Sequence, residues 1–141
     1  MEQNERDLIY QKLSILQNYY RELQSLEYIT FEEYTGKNIN KRAIERLIQL
    51  IVEVATDINN ILLKILGQKT APDYFSSFTE LAHFKVLDED FARLIAPSTG
   101  LRNIIVHEYQ TIDDKIVYNA IKTTLQYYLQ YMKYINNYLQ G

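Results

Sequence analysis

Residues 44–65, IERLIQLIVEVATDINNILLKI, decide the fold of this chain. Apolar side chains recur there every three or four residues, the period that places them on one face of an α-helix. Asn40 is a suitable N-cap before the stretch, and Gly67 is a suitable stop after it. The apolar positions are Ile44, Leu47, Ile48, Ile51, Val52, Ala55, Ile58, Leu62 and Ile65. The sequence therefore predicts one long amphipathic helix with a broad face for a core.

Other helices are predicted before and after this one. The first runs from about residue 4 to residue 26, and a looser segment follows it. Its apolar stripe is Leu8, Leu13, Leu16, Tyr20 and Leu23. The last runs from about residue 114 to residue 139 and is capped by Asp113.

Between these long helices, the sequence predicts shorter ones. Ser77 and Glu80 form the pattern of a capping box, which would open a short helix. Asp88 is expected to cap another helix. Pro97 is expected to kink or break that helix before residue 102.

Length and composition favour a single helical domain. The chain has 141 residues, 47% of them hydrophobic, which is enough to bury one core. Two prolines and four glycines are few, as is typical of long helices. We predict one domain over residues 1–141, an all-α antiparallel bundle of four main helices plus a short helix.

The same composition excludes several classes of protein. Without cysteine, the chain forms no disulfide and no thiolate metal site. No apolar run reaches the roughly 18 residues that span a bilayer, and residues 1–7 lack the pattern of a secretory signal. We expect a soluble, cytoplasmic protein without membrane contact. Its net charge of −3 gives no overall attraction to nucleic acid, so such binding would require a local basic patch.

Residues 102–109, RNIIVHEY, carry the clearest chemical signal. If a helix continues through them, Asn103 and His107 share a face, and Arg102 and Tyr109 lie on nearly the same side. A guanidinium is always charged and suits phosphate, and an imidazole exchanges a proton near neutral pH. These side chains indicate an enzyme that acts on a phosphodiester. The alternative is that His107 is a structural residue of a helix.

Cleavage of RNA by its own 2′-hydroxyl requires a base, an acid and positive charge, and it needs no metal ion when side chains supply all three. We predict that Arg102 supplies the charge and His107 the proton transfer, with hydrogen bonds from Asn103 or Tyr109. One histidine is poorly suited to act as base and acid in the same turnover. A two-fold dimer removes this difficulty, because its interface brings the same patch of both chains together. We therefore predict a homodimer whose cleft holds both copies of Arg102 and His107, without metal ion or cofactor.

Two acidic residues of the long central helix are candidates for the same site. Glu53 and Asp57 are four residues apart and so share a face. Buried carboxylates need partners, which Arg102 or His107 across the bundle would provide. We predict that both carboxylates are auxiliary residues that orient the catalytic side chains. The alternative is an ordinary solvated face.

One local basic run precedes these acids. Lys37, Lys41, Arg42 and Arg46 are interrupted only by Glu45 among acidic residues. We predict that they bind the RNA backbone. The alternative is the solvated start of a helix.

The last helix carries a stripe of tyrosines in addition to its apolar seam. The stripe is Tyr127, Tyr131, Tyr134 and Tyr138. Tyrosine has an apolar body and a polar tip, which suits half-buried contacts. The stripe indicates a tyrosine-rich edge of the core, a contact between subunits, or a platform for stacked bases.

The spacing Arg102-x₄-His107-x-Tyr109 resembles the RX₄₋₆HXY signature of the HepT-like toxins, which belong to the HEPN (higher eukaryote and prokaryote nucleotide-binding) superfamily. The likeness continues in order over roughly residues 40–122. It includes residues 42–47, Glu53-x₃-Asp57-Ile58, Tyr74-x₃-Phe78-x₂-Leu81 and residues 101–109. One departure is Leu101, where family members often have a phenylalanine directly before the arginine.

This resemblance implies a dimeric, metal-independent endoribonuclease, the toxin of a type VII toxin–antitoxin pair. Arg102 and His107 would be catalytic, Asn103 would be an auxiliary residue, and the products would end in 2′,3′-cyclic phosphate. The substrate would be tRNA or mRNA. The superfamily also includes non-catalytic helical partners of nucleotidyltransferases, and such a binding module is the alternative function. The intact pair of Arg102 and His107 favours the enzyme.

The resemblance also implies a partner. The antitoxin of such pairs is MntA, a minimal nucleotidyltransferase that uses ATP to attach AMP groups to the motif tyrosine, here Tyr109. Each added phosphate would lie in the cleft intended for the RNA backbone. The bulk and the negative charge of the AMP group would together exclude the RNA from the cleft.

Overall fold

The computed structural model describes all 141 residues and contains seven α-helices and no β-strand. The helices are α1 (Gln3–Gln24), α2 (Phe31–Gly36), α3 (Asn38–Ile65), α4 (Tyr74–His83), α5 (Glu89–Ile95), α6 (Ser98–His107) and α7 (Asp114–Gln140). The predicted all-α fold is confirmed. The bundle has three long helices and four short ones, where the sequence predicted four main helices and a short one. None of the helices is both long enough and apolar enough to cross a lipid bilayer.

Helix α3 is the central element of the fold. It packs against α1, α2, α4, α6 and α7. Of its nine predicted core positions, all but Ile65 are buried. Burying an Ile, Val or Leu side chain contributes roughly 1.5–3 kcal/mol, so this one helix supplies a large part of the driving force for folding. A single cluster of 32 buried hydrophobic residues joins it to the other helices.

Helix α1 contributes a regular seam to this core. The buried residues are Ile9, Leu13, Leu16, Tyr20 and Leu23, which alternate in steps of four and three. The prediction that Leu8 begins this stripe is wrong, because Leu8 is 42% exposed and Ile9 occupies the buried position. The hydroxyl of Tyr20 donates a hydrogen bond to the carbonyl oxygen of Leu125, 2.9 Å away on α7.

Helix α2 forms where the sequence predicted a looser segment. Its signal is a capping box, since Thr30 accepts from the backbone N–H of Glu33 and the Glu33 carboxylate accepts from the N–H of Thr30. The following helix, α3, begins at Asn38, so Asn40 is not its N-cap. The Asn40 amide instead donates to the carbonyl oxygen of Glu33.

Helix α4 begins three residues before the predicted capping box, and that prediction is wrong. Asp73 is the N-cap, and its carboxylate accepts from the N–H of Ser76 at 2.7 Å. Ser77 is a buried helical residue whose hydroxyl donates to the carbonyl oxygen of Tyr74 and accepts from the amide of Asn59. Because the Ser77 hydroxyl is engaged by Tyr74 and Asn59 inside the bundle, it does not cap a helix.

The remaining predicted helix boundaries are confirmed. The Asp88 carboxylate accepts from the N–H of Phe91 at the start of α5. Pro97 separates α5 from α6. The Asp113 carboxylate accepts from the N–H of Lys115 at the start of α7.

The tyrosine stripe of α7 is an edge of the core. Tyr131 is fully buried, and its hydroxyl lies 2.6 Å from Asn59 Oδ1 and 3.0 Å from the carbonyl oxygen of Ala55. Burial raises the pKa of Tyr131, which therefore stays neutral. Tyr127, Tyr134 and Tyr138 are half-buried and pack against the same core. Within this chain, the structure supports the interpretation of the stripe as a tyrosine-rich edge of the core.

Candidate active site

Arg102 projects from α6 onto α3, where it meets Glu53. Its Nε and Nη2 donate to the same carboxylate oxygen of Glu53, at 2.9 Å and 2.6 Å. The Arg102 and Glu53 side chains are only 16% and 25% exposed, so solvent screens this ion pair weakly. The structure confirms that Glu53 contacts Arg102.

Two more neighbours fix the guanidinium. Its Nη1 donates to Oδ1 of Asn103 at 3.1 Å. Its central carbon lies 4.8 Å from the centre of the Tyr74 ring, which places the cation over the aromatic face. Three of the five guanidinium N–H groups are thus engaged and two are free. A planar cation held in this way can still donate two hydrogen bonds to an anion.

Gln49 completes the row of polar contacts on α3. Its amide donates to the same oxygen of Glu53 that Arg102 engages, at 3.1 Å. Gln49 precedes Glu53 by one helical turn, so the two side chains lie one above the other. The carboxylate is therefore held from its own helix and from α6.

Two ion pairs show the course of the chain from α6 to the start of α7. Arg102 meets Glu53 in the middle of α3, whereas Asp114, the first residue of α7, meets Lys41 near the start of α3, at 2.7 Å. The chain therefore runs antiparallel to α3 between these points.

His107 is exposed, and its imidazole makes no hydrogen bond within the chain. It lines a shallow cleft of about 260 Å³ together with residues 108–111. Arg102 opens instead on a cleft of about 670 Å³ between α4 and α6. Five residues along a helix turn the side chain by roughly 140°. One chain thus presents its Arg102 and His107 on different sides of α6.

Tyr109 lies outside α6, so the predicted helix through residue 109 is wrong at its end. The helix ends at His107, with Glu108 as its C-cap at φ −129° and ψ 28°. Tyr109 is 65% exposed in the following turn, and its hydroxyl accepts a bond from the side-chain amide of Gln110 at 3.3 Å. The expected alignment of Tyr109 with Arg102 does not occur. The phenol is instead freely accessible.

The prediction that Asp57 orients Arg102 or His107 is not supported by its contacts. Its carboxylate lies 3.6 Å from Nζ of Lys12 on α1 and is 58% exposed. One turn separates the two carboxylates, and Asp57 meets a side chain of α1 whereas Glu53 meets one of α6.

The four basic residues of the predicted RNA-binding run differ in their surroundings. Lys41 already forms its ion pair with Asp114. Lys37, Arg42 and Arg46 are exposed. Arg46 and Arg42 precede Glu53 by about two and three turns on nearly the same face of α3, so they extend from Arg102 along the helix that α6 packs against.

Comparison with known proteins gives a consistent result. The family described as Ribonuclease HepT-like matches residues 16–135. A tRNA nuclease HepT of Aphanizomenon flos-aquae is 38% identical over 132 residues, which is 94% of this chain and 90% of that protein. A putative RNase of Archaeoglobus fulgidus is 33% identical over 107 residues, which is 72% of this chain and 80% of that protein.

The fold is also found among solved structures. The tri-AMPylated HEPN toxin of Shewanella oneidensis, solved in complex with MNT antitoxin, superposes with a TM-score of 0.84 at 22% identity. The superposition covers 97% of this chain and 99% of that one. The predicted family and the predicted class of enzyme, a ribonuclease, are confirmed. This chain belongs to the HepT-like ribonuclease family.

Proposed function

We propose that this protein is a metal-independent endoribonuclease, the toxin of a toxin–antitoxin pair, and that its active site is a composite of two chains. The observation that carries the proposal is the pairing on one helix of a fixed guanidinium with two free N–H groups and an unpartnered imidazole. Arg102 binds and stabilises the phosphate. His107 transfers protons.

The reaction proceeds in one displacement at phosphorus. His107 of one subunit accepts the proton of the 2′-hydroxyl, and a bond forms between O2′ and phosphorus. The bond from phosphorus to O5′ breaks, and His107 of the partner subunit protonates the leaving oxygen. The products are a 2′,3′-cyclic phosphate and a 5′-hydroxyl. Arg102 stabilises the extra negative charge on the phosphoryl oxygens in the transition state.

The separation of Arg102 and His107 supports a two-fold dimer. Within one chain they line different clefts, which favours a site in which each meets a group of a second chain. A two-fold axis beside α6 would bring Arg102 of one subunit toward His107 of the other. It would also supply the second histidine that a base and an acid require.

The surroundings of Arg102 support a mechanism without a metal ion. The carboxylate nearest to the guanidinium, Glu53, is neutralised by it. A divalent cation would have to compete with that ion pair for the same oxygens. Charge stabilisation is already supplied by the arginine.

Exposed cations on α3 support an RNA substrate. Arg42 and Arg46 continue the face of α3 that carries Glu53, and Lys37 is exposed before them. Lys41 adds little, because Asp114 neutralises it. We infer that the RNA backbone follows this face away from Arg102. Because the relative from Aphanizomenon flos-aquae is a tRNA nuclease, tRNA is the substrate to test before mRNA.

Cleavage in the presence of EDTA tests this function. Purified protein is incubated with tRNA, and the product ends are determined. We expect 2′,3′-cyclic phosphate ends, and loss of cleavage in Arg102→Ala. Arg93→Ala is the matched control, because Arg93 is exposed and pairs only with Glu89 and Asp90 of its own helix. Cleavage that requires added metal would contradict the mechanism. A protein that binds a nucleotidyltransferase but cuts no RNA would be the non-catalytic module.

We further propose that a nucleotidyltransferase antitoxin of the MntA type silences the enzyme by transferring AMP from ATP to Tyr109. The phenol oxygen would attack the α-phosphorus of ATP and release pyrophosphate. Tyr109 is 65% exposed and two residues from His107, so the added phosphate would lie beside the proton-transferring group. Its charge would repel the RNA backbone.

This modification is tested by mass spectrometry after incubation with the antitoxin and ATP. We expect mass increments of AMP on the wild type, and neither increment nor silencing on Tyr109→Phe. Tyr28→Phe is the control, because Tyr28 is 84% exposed but lies in the turn between α1 and α2. Modification of Tyr109→Phe with loss of activity would show that another residue is the acceptor.

A further inference from the structure

The cleft on the open side of Arg102 is larger than the binding of one phosphate requires. It has a volume of about 670 Å³ and lies between the first turns of α4 and α6. Asp73, Tyr74 and Phe75 line it from α4, and Gly100, Arg102 and Asn103 line it from α6. The space extends from the guanidinium toward the N-terminus of α4.

An unpartnered aromatic ring lies on the wall of this cleft. Phe75 is 47% exposed, whereas the next aromatic of α4, Phe78, is buried and packs edge-on against Tyr128 and Tyr131. Tyr74 is already covered by the guanidinium of Arg102. An exposed ring beside a phosphate-binding cation is a surface on which a nucleobase can stack.

The polar groups of the cleft suit the edge of a base better than a second phosphate. The Asp73 carboxylate is exposed and accepts from the N–H of Ser76, and a carboxylate can accept further hydrogen bonds from a base. The Asn103 oxygen accepts from Arg102, which leaves its amide N–H groups free to donate. A base edge offers both donors and acceptors, while a phosphate would be repelled by the Asp73 carboxylate.

We propose that this cleft is a nucleobase subsite. The base next to the phosphate held by Arg102 stacks on Phe75, and Asp73 and Asn103 contact its polar edge. The proposal rests on the proposed function in one respect, the binding of the scissile phosphate by Arg102. It assigns part of the sequence preference of the enzyme to the first turn of α4.

The absence of tryptophan from the chain allows a direct test. Phe75→Trp places a single tryptophan in the cleft. The ligand is a single-stranded oligonucleotide with 2′-O-methyl riboses, which cannot be cleaved, and its binding is followed separately by anisotropy of a terminal dye. We expect RNA to quench the tryptophan, and an abasic nucleotide at one position to restore the emission. Tyr28→Trp, between α1 and α2, should be unaffected.

A second variant fills the cleft. A Cβ added at Gly100 meets no atom within 4 Å, so the side chain of Gly100→Leu starts in open space on the wall of the cleft. We expect it to abolish quenching of Phe75→Trp and to weaken RNA binding roughly tenfold, the range of one base stack.

The outcomes separate this proposal from the proposed function. Binding of RNA with no quenching of Phe75→Trp, or quenching that no single abasic position relieves, overturns the subsite and leaves the ribonuclease intact. Absence of RNA binding by every form overturns both.

Discussion

Arg102 is held by neighbours from two helices besides its own, whereas His107 is held by none. Glu53 from α3, Tyr74 from α4 and the adjacent Asn103 fix the guanidinium. This rigidity suits electrostatic stabilisation, because a charge that is already oriented costs no reorganisation during the reaction. The free imidazole of His107 suits proton transfer to and from groups that come from outside the chain.

Glu53→Gln tests whether this orientation matters for cleavage. The amide oxygen still accepts a hydrogen bond but no longer pairs with the charge of Arg102, so we expect kcat/KM for RNA to fall about tenfold, on the order of 1.4 kcal/mol. Asp57→Asn is the matched control, because that carboxylate pairs with Lys12 on α1. Equal rates for the two variants and the wild type would remove Glu53 from the site.

A second carboxyl of α3 makes stability depend on pH. Burial raises the pKa of Glu45, and the nearby Asp114 raises it further, against the opposing charges of Lys41 and Arg42. The folded state therefore binds this proton more tightly than the unfolded chain does. The stabilisation from protonated Glu45 is present at low pH and is lost as the pH rises through the raised pKa.

Glu45→Gln removes that dependence. We expect its Tm to exceed that of the wild type at pH 7, and the gap to close as the pH falls below the ordinary carboxyl pKa of 4.5. Thermal unfolding between pH 4 and pH 8 measures this difference in Tm. Glu22→Gln is the control, because Glu22 of α1 is exposed. If the Tm difference between Glu45→Gln and the wild type widened toward low pH, the pKa of Glu45 would be lowered in the folded state and not raised.

At the scale of the elements, α6 and the loop after it decide how the site is presented. Helix α6 ends at His107 without a glycine or proline to mark its end in the sequence. The chain is drawn toward the start of α3, where Lys41 pairs with Asp114. Tyr109 lies in the exposed turn that follows the end of the helix.

Apolar spacing predicted the long helices well, because each buries a continuous face. It missed α2, which has six residues and is too short for a periodic signal, although the capping box of Thr30 and Glu33 marks it. The need of a buried carboxylate for a partner led to the expectation that Glu53 and Asp57 meet Arg102 or His107, but it could not separate Glu53 from Asp57. That difference depends on where α1 and α6 cross α3, a property of the tertiary structure.

Helix α5 is short, and its cap should matter for stability. Asp88 accepts from the N–H of Phe91, and α5 places the buried side chains of Phe91 and Ile95 in the core. We expect Asp88→Ala to lower the free energy of unfolding by about 1 kcal/mol and Asp88→Ser to leave it nearly unchanged. Urea unfolding measures both. Equal losses would mean that the charge of Asp88, rather than its cap, is what stabilises α5.

At the scale of the whole molecule, the fold builds one core but places Arg102 and His107 on different clefts. The sequence predicted the helical bundle and the residues of the motif. It did not show that Arg102 and His107 open on separate clefts, because α6 is crossed by α3 on one side and by α4 on another. A second copy of the chain is the simplest way to bring an Arg102 and a His107 into the same cleft.

The rate of RNA cleavage by mixed dimers tests this account most directly. Wild-type and His107→Ala chains carrying different affinity tags are co-expressed, and dimers with one of each are isolated by two purification steps. Doubly tagged wild-type dimers and His107→Ala homodimers serve as controls. If one imidazole is the base and its symmetry mate the acid, the mixed dimer should be slower than the wild type by roughly 10²–10⁴, close to the His107→Ala homodimer. A mixed dimer with half or more of the wild-type rate would contradict the composite site.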